Sequence, residues 1–258
     1  MRHTPGRRDS ILKQLSQNTH ASVTDLAREL GCSEMTIRRD LDRLAADGLI
    51  QRSHGGASVS RMVRLEFTLA AKADQHAAEK AAIARAAAQL IQPGERVIID
   101  IGTTTLAVAR ELRSHQGISV VTPSLAVVSA LLSVPGVECI LLGGTVRESA
   151  PDLYGPLLED NLSRMHTDWA LVGCDGLSIA GGLTAADPRT ARSTALMLTS
   201  AAKVALLVDS SKAESDAFIG FAKLEDLDYL ITDQRMPAEI LAAARAAAVQ
   251  TVVVTPEA

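Results

Sequence analysis

Residues 33–41 decide the fold of the first part of this chain, and they read Ser33-Glu34-Met35-Thr36-Ile37-Arg38-Arg39-Asp40-Leu41. Ile37, Leu41 and Leu44 recur at the spacing of one helix face, which predicts an amphipathic helix that buries this stripe. Ser33 precedes the stripe and can cap the free amides of the first turn. The other faces of this helix are polar and include two consecutive arginines.

Two further helical patterns precede this one, within residues 8–17 and 23–30. Gly31 can end the second helix, which leaves about three residues before the third. Two helices joined by so tight a turn are typical of a helix-turn-helix. Residues 49–52 and 54–57, on either side of a turn, then predict a hairpin of the kind called a wing.

In a winged helix-turn-helix, the third helix is expected to enter the major groove of DNA. Arginine can donate two hydrogen bonds to guanine or bind a phosphate, and hydroxyl groups can bind phosphate oxygens. The alternative is a polar surface in which Arg38 and Arg39 pair with Asp42 and Asp40. The predicted DNA contacts are Ser33, Thr36, Arg38 and Arg39 of the helix, Arg52 and His54 of the wing, and Arg7 and Arg8.

The net charge of −4 argues at first against a nucleic-acid partner, which requires positive charge. The charge is unevenly distributed, however. Up to Arg64 there are eleven Lys or Arg against seven Asp or Glu, a net +4, so that the remainder carries −8. A basic head on an acidic body suits DNA binding, and a chance fluctuation in a short segment is the alternative.

No stretch approaches the roughly 18 uninterrupted apolar residues that a membrane span needs. Residues 1–8 are basic but lack the apolar run of a secretory signal. Cys32, Cys139 and Cys174 have no spacing typical of a zinc site or a disulfide framework. We therefore expect a soluble cytoplasmic protein with no membrane partner, no metal and no cofactor.

Short apolar runs alternate with helical patterns through the rest of the chain, which predicts an α/β domain with a largely parallel sheet covered on both faces. The predicted domains are a winged helix-turn-helix at 1–57, a linker at 58–74 and a sensor domain at 75–258. The predicted strands of the sheet lie at 96–100, 118–122, 137–142, 169–172, 204–208, 229–232 and 251–254.

The segment Asp100-Ile101-Gly102-Thr103-Thr104-Thr105 joins a predicted strand to a predicted helix. Gly102 lets the backbone approach a ligand, and the free amides at the start of the helix attract an anion. We interpret this loop as a phosphate site, and the alternative is that its threonines only cap the helix. The candidate ligand residues of this loop are Asp100, Gly102, Thr103, Thr104 and Thr105.

Polar groups and glycines follow other predicted strands in the same way, and parallel sheets bind ligands at the carboxyl ends of their strands. Each glycine can equally be ordinary turn chemistry, and an isolated Arg or Lys can be a solvated charge. The further candidates for binding an effector are Ser124, Gly143, Gly144, Arg147, Asp175 and Lys212.

Residues 33–57 resemble the amino-terminal signature of the DeoR family of bacterial sugar-catabolism regulators, S-E-x-T-I-R-R-D-L followed by G-x-L-x-R-x-H-G-G-A. The resemblance continues into the sensor domain, whose fold is similar to ribose-5-phosphate isomerase and glucosamine-6-phosphate deaminase. It implies a repressor or activator with two ligands, double-stranded operator DNA and a phosphorylated sugar. The sensor motifs are L-D-x-G-T-T-T at 99–105, V-T-N-S at 121–124, L-x-G-G-x-x-R at 141–147, G-x-x-G at 173–176, G-L-T at 182–184 and D-x-S-K at 209–212.

The chain departs from the family pattern at two places. Pro123 replaces the usual asparagine, which removes a side-chain amide and a backbone donor. In the helix after Thr184 the family commonly has acidic residues and then a lysine, whereas this chain has Pro188, Arg189 and Thr194. These changes make the identity of the effector less transferable from the family.

Two other function classes remain open from the residues alone. An enzyme of the isomerase type would use Asp100, Asp175 or Asp209 as a base, with Lys212 binding phosphate or an oxyanion. A DNA scaffold without a ligand would leave the polar strand ends unexplained. A regulator would be a homo-oligomer, dimer or tetramer, because helix-turn-helix dimers bind half-sites about one DNA turn apart.

Overall fold

We describe the chain from a computed structural model, which covers residues 6–18 and 20–256. The outer limits of the predicted domains, residues 1 and 258, lie outside the described residues. The chain divides into two compact units, the first ending at Lys72 and the second beginning at Ala73. The described residues contain no helix long and apolar enough to cross a membrane.

The first unit contains the three short helices and the wing that the sequence predicts. Ile37, Leu41 and Leu44 are buried together with Ile11 and Leu15 of the first helix. The amphipathic spacing therefore correctly identifies the buried face. The helices are α1 (Arg7–Asn18), α2 (Val23–Glu29), α3 (Glu34–Ala46) and α4 (Arg61–Asp74), and the strands are β1 (Ala21–Ser22), β2 (Ile50–Ser53) and β3 (Gly56–Val59).

A short strand that the sequence does not reveal completes the wing. β1 pairs antiparallel with β3, which gives a sheet in the order β1-β3-β2. At this contact a Cβ on Gly56 would overlap the carbonyl oxygen of Ala21, so that the absence of a side chain allows the two strands to pair. Gly55 has a φ of 82°, in the left-handed region that glycine adopts readily, and forms the turn between β2 and β3.

The segment 58–74, interpreted from the sequence as a linker, has regular structure. It contains the end of β3 and then helix α4. Val63 of this helix is buried in the core of the first unit, and Phe67 packs against that core. Part of this segment therefore packs onto the core of the first unit.

The second unit is built on a parallel sheet of seven strands in the order β15-β14-β12-β9-β4-β5-β6. All seven strands predicted from the sequence are present, and the predicted α/β class is confirmed. They are β4 (Arg96–Ile99), β5 (Ile118–Thr122), β6 (Val137–Leu141), β9 (Thr167–Val172), β12 (Ala201–Leu207), β14 (Tyr229–Asp233) and β15 (Gln250–Val254).

The central strands are buried on both faces. In β4, Ile98 joins a core cluster with residues of the helices, including Leu158 and Met197, and its neighbours Val97 and Ile99 are also fully buried. Polar side chains are thereby restricted to the ends of these strands.

Six α-helices of the second unit are described. They are α5 (Ala77–Ala88), α6 (Thr103–Glu111), α7 (Leu125–Leu131), α8 (Pro156–Ser163), α9 (Pro188–Thr199) and α10 (Ala238–Ala246).

Two small antiparallel sheets and helix α8 were not predicted from the sequence. One sheet pairs β7 (Thr145–Val146) with β8 (Leu153–Tyr154), and the other has the order β10-β11-β13, formed by Gly176–Ser178, Gly182–Ala185 and Ile219–Ala222. The β7–β8 hairpin contacts the end of β5, because Leu153 donates its amide to the carbonyl of Pro123 at 3.0 Å. It thereby forms one wall at the carboxyl edge of the main sheet.

Candidate DNA-binding surface and ligand cleft

The start of α3 is a polar, solvent-facing surface. Ser33 caps the helix by accepting the amide of Thr36 at 3.3 Å, and the two hydroxyls lie 2.9 Å apart. Arg38 and Arg39 are exposed, and Arg38 forms an i,i+4 ion pair with Glu34 at 3.0 Å. An exposed pair of this kind is worth about 0.3–0.5 kcal/mol, so that DNA can displace it.

The wing is held next to this helix. Arg52 of β2 lies 3.5 Å from Asp42 of α3, and His54 is exposed at the turn. Sequence analysis did not identify His20, which lies between α1 and β1. Its Nε2 lies 2.9 Å from Ser53 Oγ and links this loop to the wing. These contacts bring the predicted helix and wing residues onto one unit.

Arg7 has an internal partner. Its Nε donates to Asp40 at 2.6 Å, and the side chain of Asp40 is only 5% exposed. This ion pair connects α1 to α3, whereas Arg8 is exposed. The alternative pairing considered for α3 is not formed, because Asp40 binds Arg7, Asp42 binds Arg52, and Arg38 binds Glu34.

In the second unit, a cleft opens at the carboxyl ends of β4 and β5. It has a volume of about 240 Å³, including the part open to solvent. Its walls come from the two strand ends, the β7–β8 hairpin and the first half of α9. The lining residues are Asp100, Ile101, Pro123, Arg147, Asp152, Leu153, Tyr154, Arg189, Thr190, Ser193 and Met197.

The side chain of Arg147 forms hydrogen bonds with three residues around this cleft. Its guanidinium donates two hydrogen bonds to Asp152, at 2.8 and 2.5 Å, and one to the hydroxyl of Thr190 at 2.7 Å. Asp187 lies 3.4 Å away. Burial acts to lower the pKa of Arg147, but the bonds to these two carboxylates outweigh it and raise the pKa. Arg147 thus joins the hairpin to α9 while it lines the cleft.

A second arginine, Arg189, also lines the cleft. Arg189 forms an ion pair with Asp187 at 2.7 Å and lies over the ring of Tyr154, 4.7 Å from its centroid. The hydrogen bond from Arg189 holds the pKa of Asp187 well below its usual range. Both arginines of the cleft are therefore neutralised by carboxylates.

Asp100 differs from the other carboxylates because its partners are uncharged. Its side chain accepts the amide of Ile101 at 2.7 Å, the amide of Gly173 at 3.4 Å and the hydroxyl of Thr194 at 3.2 Å. The residue is 2% exposed. Burial raises the pKa of Asp100 to about 7, although these three hydrogen bonds act to lower it.

The loop that follows Asp100 leads into the start of α6. Gly102 begins α6 with a φ of 125° and provides no side-chain cap for the helix. Thr105 donates its hydroxyl to the carbonyl of Gly102 at 3.1 Å, so that this threonine does not cap the first-turn amides. Thr103 and Thr104 are half-buried beside those amides.

Two further candidates lie at the ends of β9 and β12, around Cys174. Burial, helped by the charge of Asp175, raises the pKa of the Cys174 thiol to about 12, while the charge of Lys212 acts to lower it. Asp175 accepts the amide of Ala186 at 2.9 Å. Lys212 ends a short 3-10 helix, Ser210–Lys212, that Asp209 caps. The charges of Asp100, Asp175 and Lys212 therefore all act on one thiol.

The remaining candidates contact the protein itself. Ser124 is buried and caps α7 by accepting the amide of Val127 at 3.3 Å. A Cβ on Gly144 would come within 2.7 Å of the carbonyl oxygen of Tyr154, and one on Gly143 would meet the side chain of Leu157. These two glycines allow the hairpin and α8 to pack closely behind the cleft.

Sequence reasoning missed most of the cleft walls. Asp152 directly precedes a two-residue strand and Tyr154 ends it, and so short a strand shows no alternation. Asp187 caps the start of α9 and Thr190 lies in its first turn, and no sequence motif marks either residue. The usable signals are Pro156 and Pro188, since proline is favoured at the first position of a helix.

Comparison with known families identifies both units. The DeoR-like helix-turn-helix domain matches residues 7–62, and the DeoR C-terminal sensor domain matches residues 75–234. The chain belongs to the DeoR family. It is therefore a DNA-binding transcriptional regulator, as the motifs around Arg38 and Gly102 predict.

Several curated DeoR-family proteins are similar over nearly their full length. The HTH-type transcriptional regulator GlpR of Haloferax volcanii is 39% identical over 235 residues, which are 90% of this chain and 91% of GlpR. The glycerol-3-phosphate regulon repressor of Escherichia coli K12 is 32% identical, covering 91% and 93% of the two chains. The repressor GlcR of Bacillus subtilis is 34% identical, covering 88% and 87%.

Among solved structures, ribose 5-phosphate isomerase A of Methanocaldococcus jannaschii is similar to about half of the chain. The two share 16% identity with a TM-score of 0.40, over 54% of this chain and 55% of the isomerase. So distant a likeness carries no information about the ligand or the chemistry of the cleft.

The buried ion pair gives a stability prediction. Arg147→Met is expected to lower the free energy of unfolding by about 3–5 kcal/mol, because Asp152 is left buried without a counter-charge. Arg164→Met, which removes an exposed ion pair with Asp160, is the control and is expected to cost about 0–1 kcal/mol. Urea unfolding of the full chain measures both, and equal effects would show that the cleft pair contributes no more than a surface pair.

Proposed function

We propose that this regulator represses a carbohydrate-catabolism operon and that a phosphorylated sugar modulates its binding to the operator. The proposal rests on one pairing of features: an exposed arginine-bearing helix on one unit and a polar cleft at a strand edge on the other. It is supported by the names of the relatives, which include the glycerol-3-phosphate regulon repressor of Escherichia coli K12. We place its action in the cytoplasm, where the operator DNA is.

For the DNA-binding unit, we propose that α3 enters the major groove with its first two turns. Arg38 and Arg39 would read guanine or bind phosphate, while Ser33 and Thr36 bond phosphate oxygens. The exposed side chain of Met35 lies on the same turn and can contact a thymine methyl group. The backbone contacts would come from Arg8, Arg52 and His54, with Arg7 mainly holding α3 in place.

For the sensor unit, we propose that the phosphate of the effector binds the first-turn amides of α6, with Lys212 as its counter-charge. Backbone amides at a helix start and a lysine ammonium are the usual donors for phosphate in proteins. The sugar would then extend into the neighbouring cleft towards Asp100 and Arg147. Asp175, Thr103 and Thr104 would contact its hydroxyl groups.

Coupling between the two sites requires a second copy of the chain. We propose a homo-oligomer whose paired heads bind two half-sites, with the effector favouring one arrangement of the heads. The effector must discriminate between the two arrangements, and about 5.5 kcal/mol of difference shifts an equilibrium from 1:99 to 99:1.

We propose sensing without turnover. Asp100, the carboxylate at the cleft that an isomerase mechanism would use as a base, accepts hydrogen bonds from Ile101, Gly173 and Thr194. These bonds act to lower the pKa of Asp100 and so oppose the uptake of a proton, which a catalytic base has to accept.

The recognition helix is tested by Arg38→Ala and Arg39→Ala. Each is expected to weaken specific operator binding by about 1–3 kcal/mol where the arginine reads a base. Arg164→Ala is the matched control, because Arg164 is also exposed and forms an i,i+4 ion pair, but in the sensor unit. A gel-shift titration on DNA obtained by in vitro selection measures the effect, and unchanged affinity in both variants would refute this assignment.

The phosphate site is tested by Lys212→Ala. We expect stabilisation by glycerol 3-phosphate, glucose 6-phosphate or glucosamine 6-phosphate to be reduced, because a charge-assisted hydrogen bond contributes about 1.5–3 kcal/mol. Lys223→Ala is the control, since Lys223 forms only an exposed ion pair with Glu225. Thermal shift of the full chain is the measurement, and an equal response in the two variants would remove Lys212 from the site.

A further inference from the structure

One carboxylate of the cleft differs from the others in its partners. Arg147 and Arg189 are the cations among the lining residues, and each is bound to a carboxylate. Arg147 is bound to Asp152, and Arg189 is bound to Asp187. Asp100 also lines the cleft, but its hydrogen-bond partners are neutral.

The carboxylate without an arginine partner is Asp100. Asp152 receives both ends of the Arg147 guanidinium, and Asp187 is bound by Arg189 and approached by Arg147. The partners of Asp100 are two amides and the hydroxyl of Thr194, all neutral. The negative charge of Asp152 also acts on Asp100 and raises its pKa.

Neutral donors leave this carboxylate incompletely compensated. A buried carboxylate is costly unless a positive charge accompanies its hydrogen bonds. Asp100 already has three hydrogen-bond donors, so that a further hydroxyl group would add little. A cation would stabilise the charged form, which burial disfavours, since burial raises the pKa of Asp100 to about 7.

Thr194 occupies the position from which α9 could have supplied that cation. It is 1% exposed, and its hydroxyl faces Asp100 from the opposite side of the cleft edge. Its short side chain satisfies one lone pair and brings no charge. We infer that Thr194 determines specificity by leaving Asp100 open to a cation carried by the ligand.

We propose that the effector is a phosphorylated amino sugar, whose ammonium group pairs with Asp100 while its phosphate lies at the start of α6. This inference rests on the proposed sensor function and specifies its ligand class. Such a ligand carries one negative and one positive group. The carboxylate of Asp100 and the first-turn amides of α6, which would bind them, lie within one segment of the chain, residues 100–105.

Matched ligands test the proposal on the full chain. Calorimetric titration at pH 7.5 would compare glucosamine 6-phosphate with glucose 6-phosphate, and galactosamine 6-phosphate with galactose 6-phosphate, which differ only by amine for hydroxyl. N-acetylglucosamine 6-phosphate keeps the nitrogen and removes its charge. In at least one pair we expect the amino sugar phosphate to bind about 10-fold more tightly than its hydroxyl counterpart, as expected for a desolvated charge pair. The N-acetylated sugar phosphate should bind no more tightly than the hydroxyl sugar.

Variants assign the preference to its residues. Asp100→Asn should reduce the ratio between amine and hydroxyl ligands to about 1, and Thr194→Lys should do the same by supplying the cation within the chain. Thr194→Val removes the hydroxyl without adding charge and should keep the preference. A preference that persists in Asp100→Asn would overturn the proposal.

Two outcomes separate this inference from the function on which it rests. Equal binding of amine and hydroxyl ligands in both pairs would overturn the amino-sugar inference and leave phosphosugar sensing in place. If none of these phosphosugars binds, both proposals are contradicted. NMR titration of the Asp100 carboxyl provides a second readout, because Thr194→Lys should lower its pKa from about 7, and an unchanged pKa would refute the claim that Asp100 lacks a cation.

Discussion

The parallel sheet restricts where this protein can place polar chemistry. Its central strands are buried on both faces, so that a polar side chain can be accommodated only where a strand ends. Because all seven strands run in one direction, their carboxyl ends lie along a single edge. Asp100, Ser124, Asp175 and Lys212 all follow strands at that edge, although they are far apart in the sequence. The cleft is a consequence of this arrangement.

The buried ion pair of Arg147 and Asp152 holds the walls of the cleft together. It connects a short hairpin to the strand ends on one side, and through Thr190 and Asp187 it connects the hairpin to α9 on the other. Both arginines of the cleft are bound to carboxylates, whereas the hydrogen-bond partners of Asp100 are neutral.

The sequence was informative where periodicity is strong and where a motif is dense. The stripe of Ile37, Leu41 and Leu44 and the seven apolar strands were predicted correctly because burial imposes a regular spacing on them. The hairpin at 145–154 was missed because strands of two residues have no period to detect. The partners of Arg147 could not be predicted either, since Asp152 and Asp187 are brought to it by tertiary packing and not by local sequence.

We propose that occupancy of the sensor cleft changes the affinity of the DNA-binding unit for its operator. Fluorescence anisotropy of a labelled selected operator, titrated with the full chain, measures that coupling directly when repeated with a saturating phosphosugar that binds the chain. We expect the operator Kd to change by at least about 10-fold, or roughly 1.4 kcal/mol of coupling. A phosphosugar that saturates the sensor unit and leaves the operator Kd unchanged would contradict it.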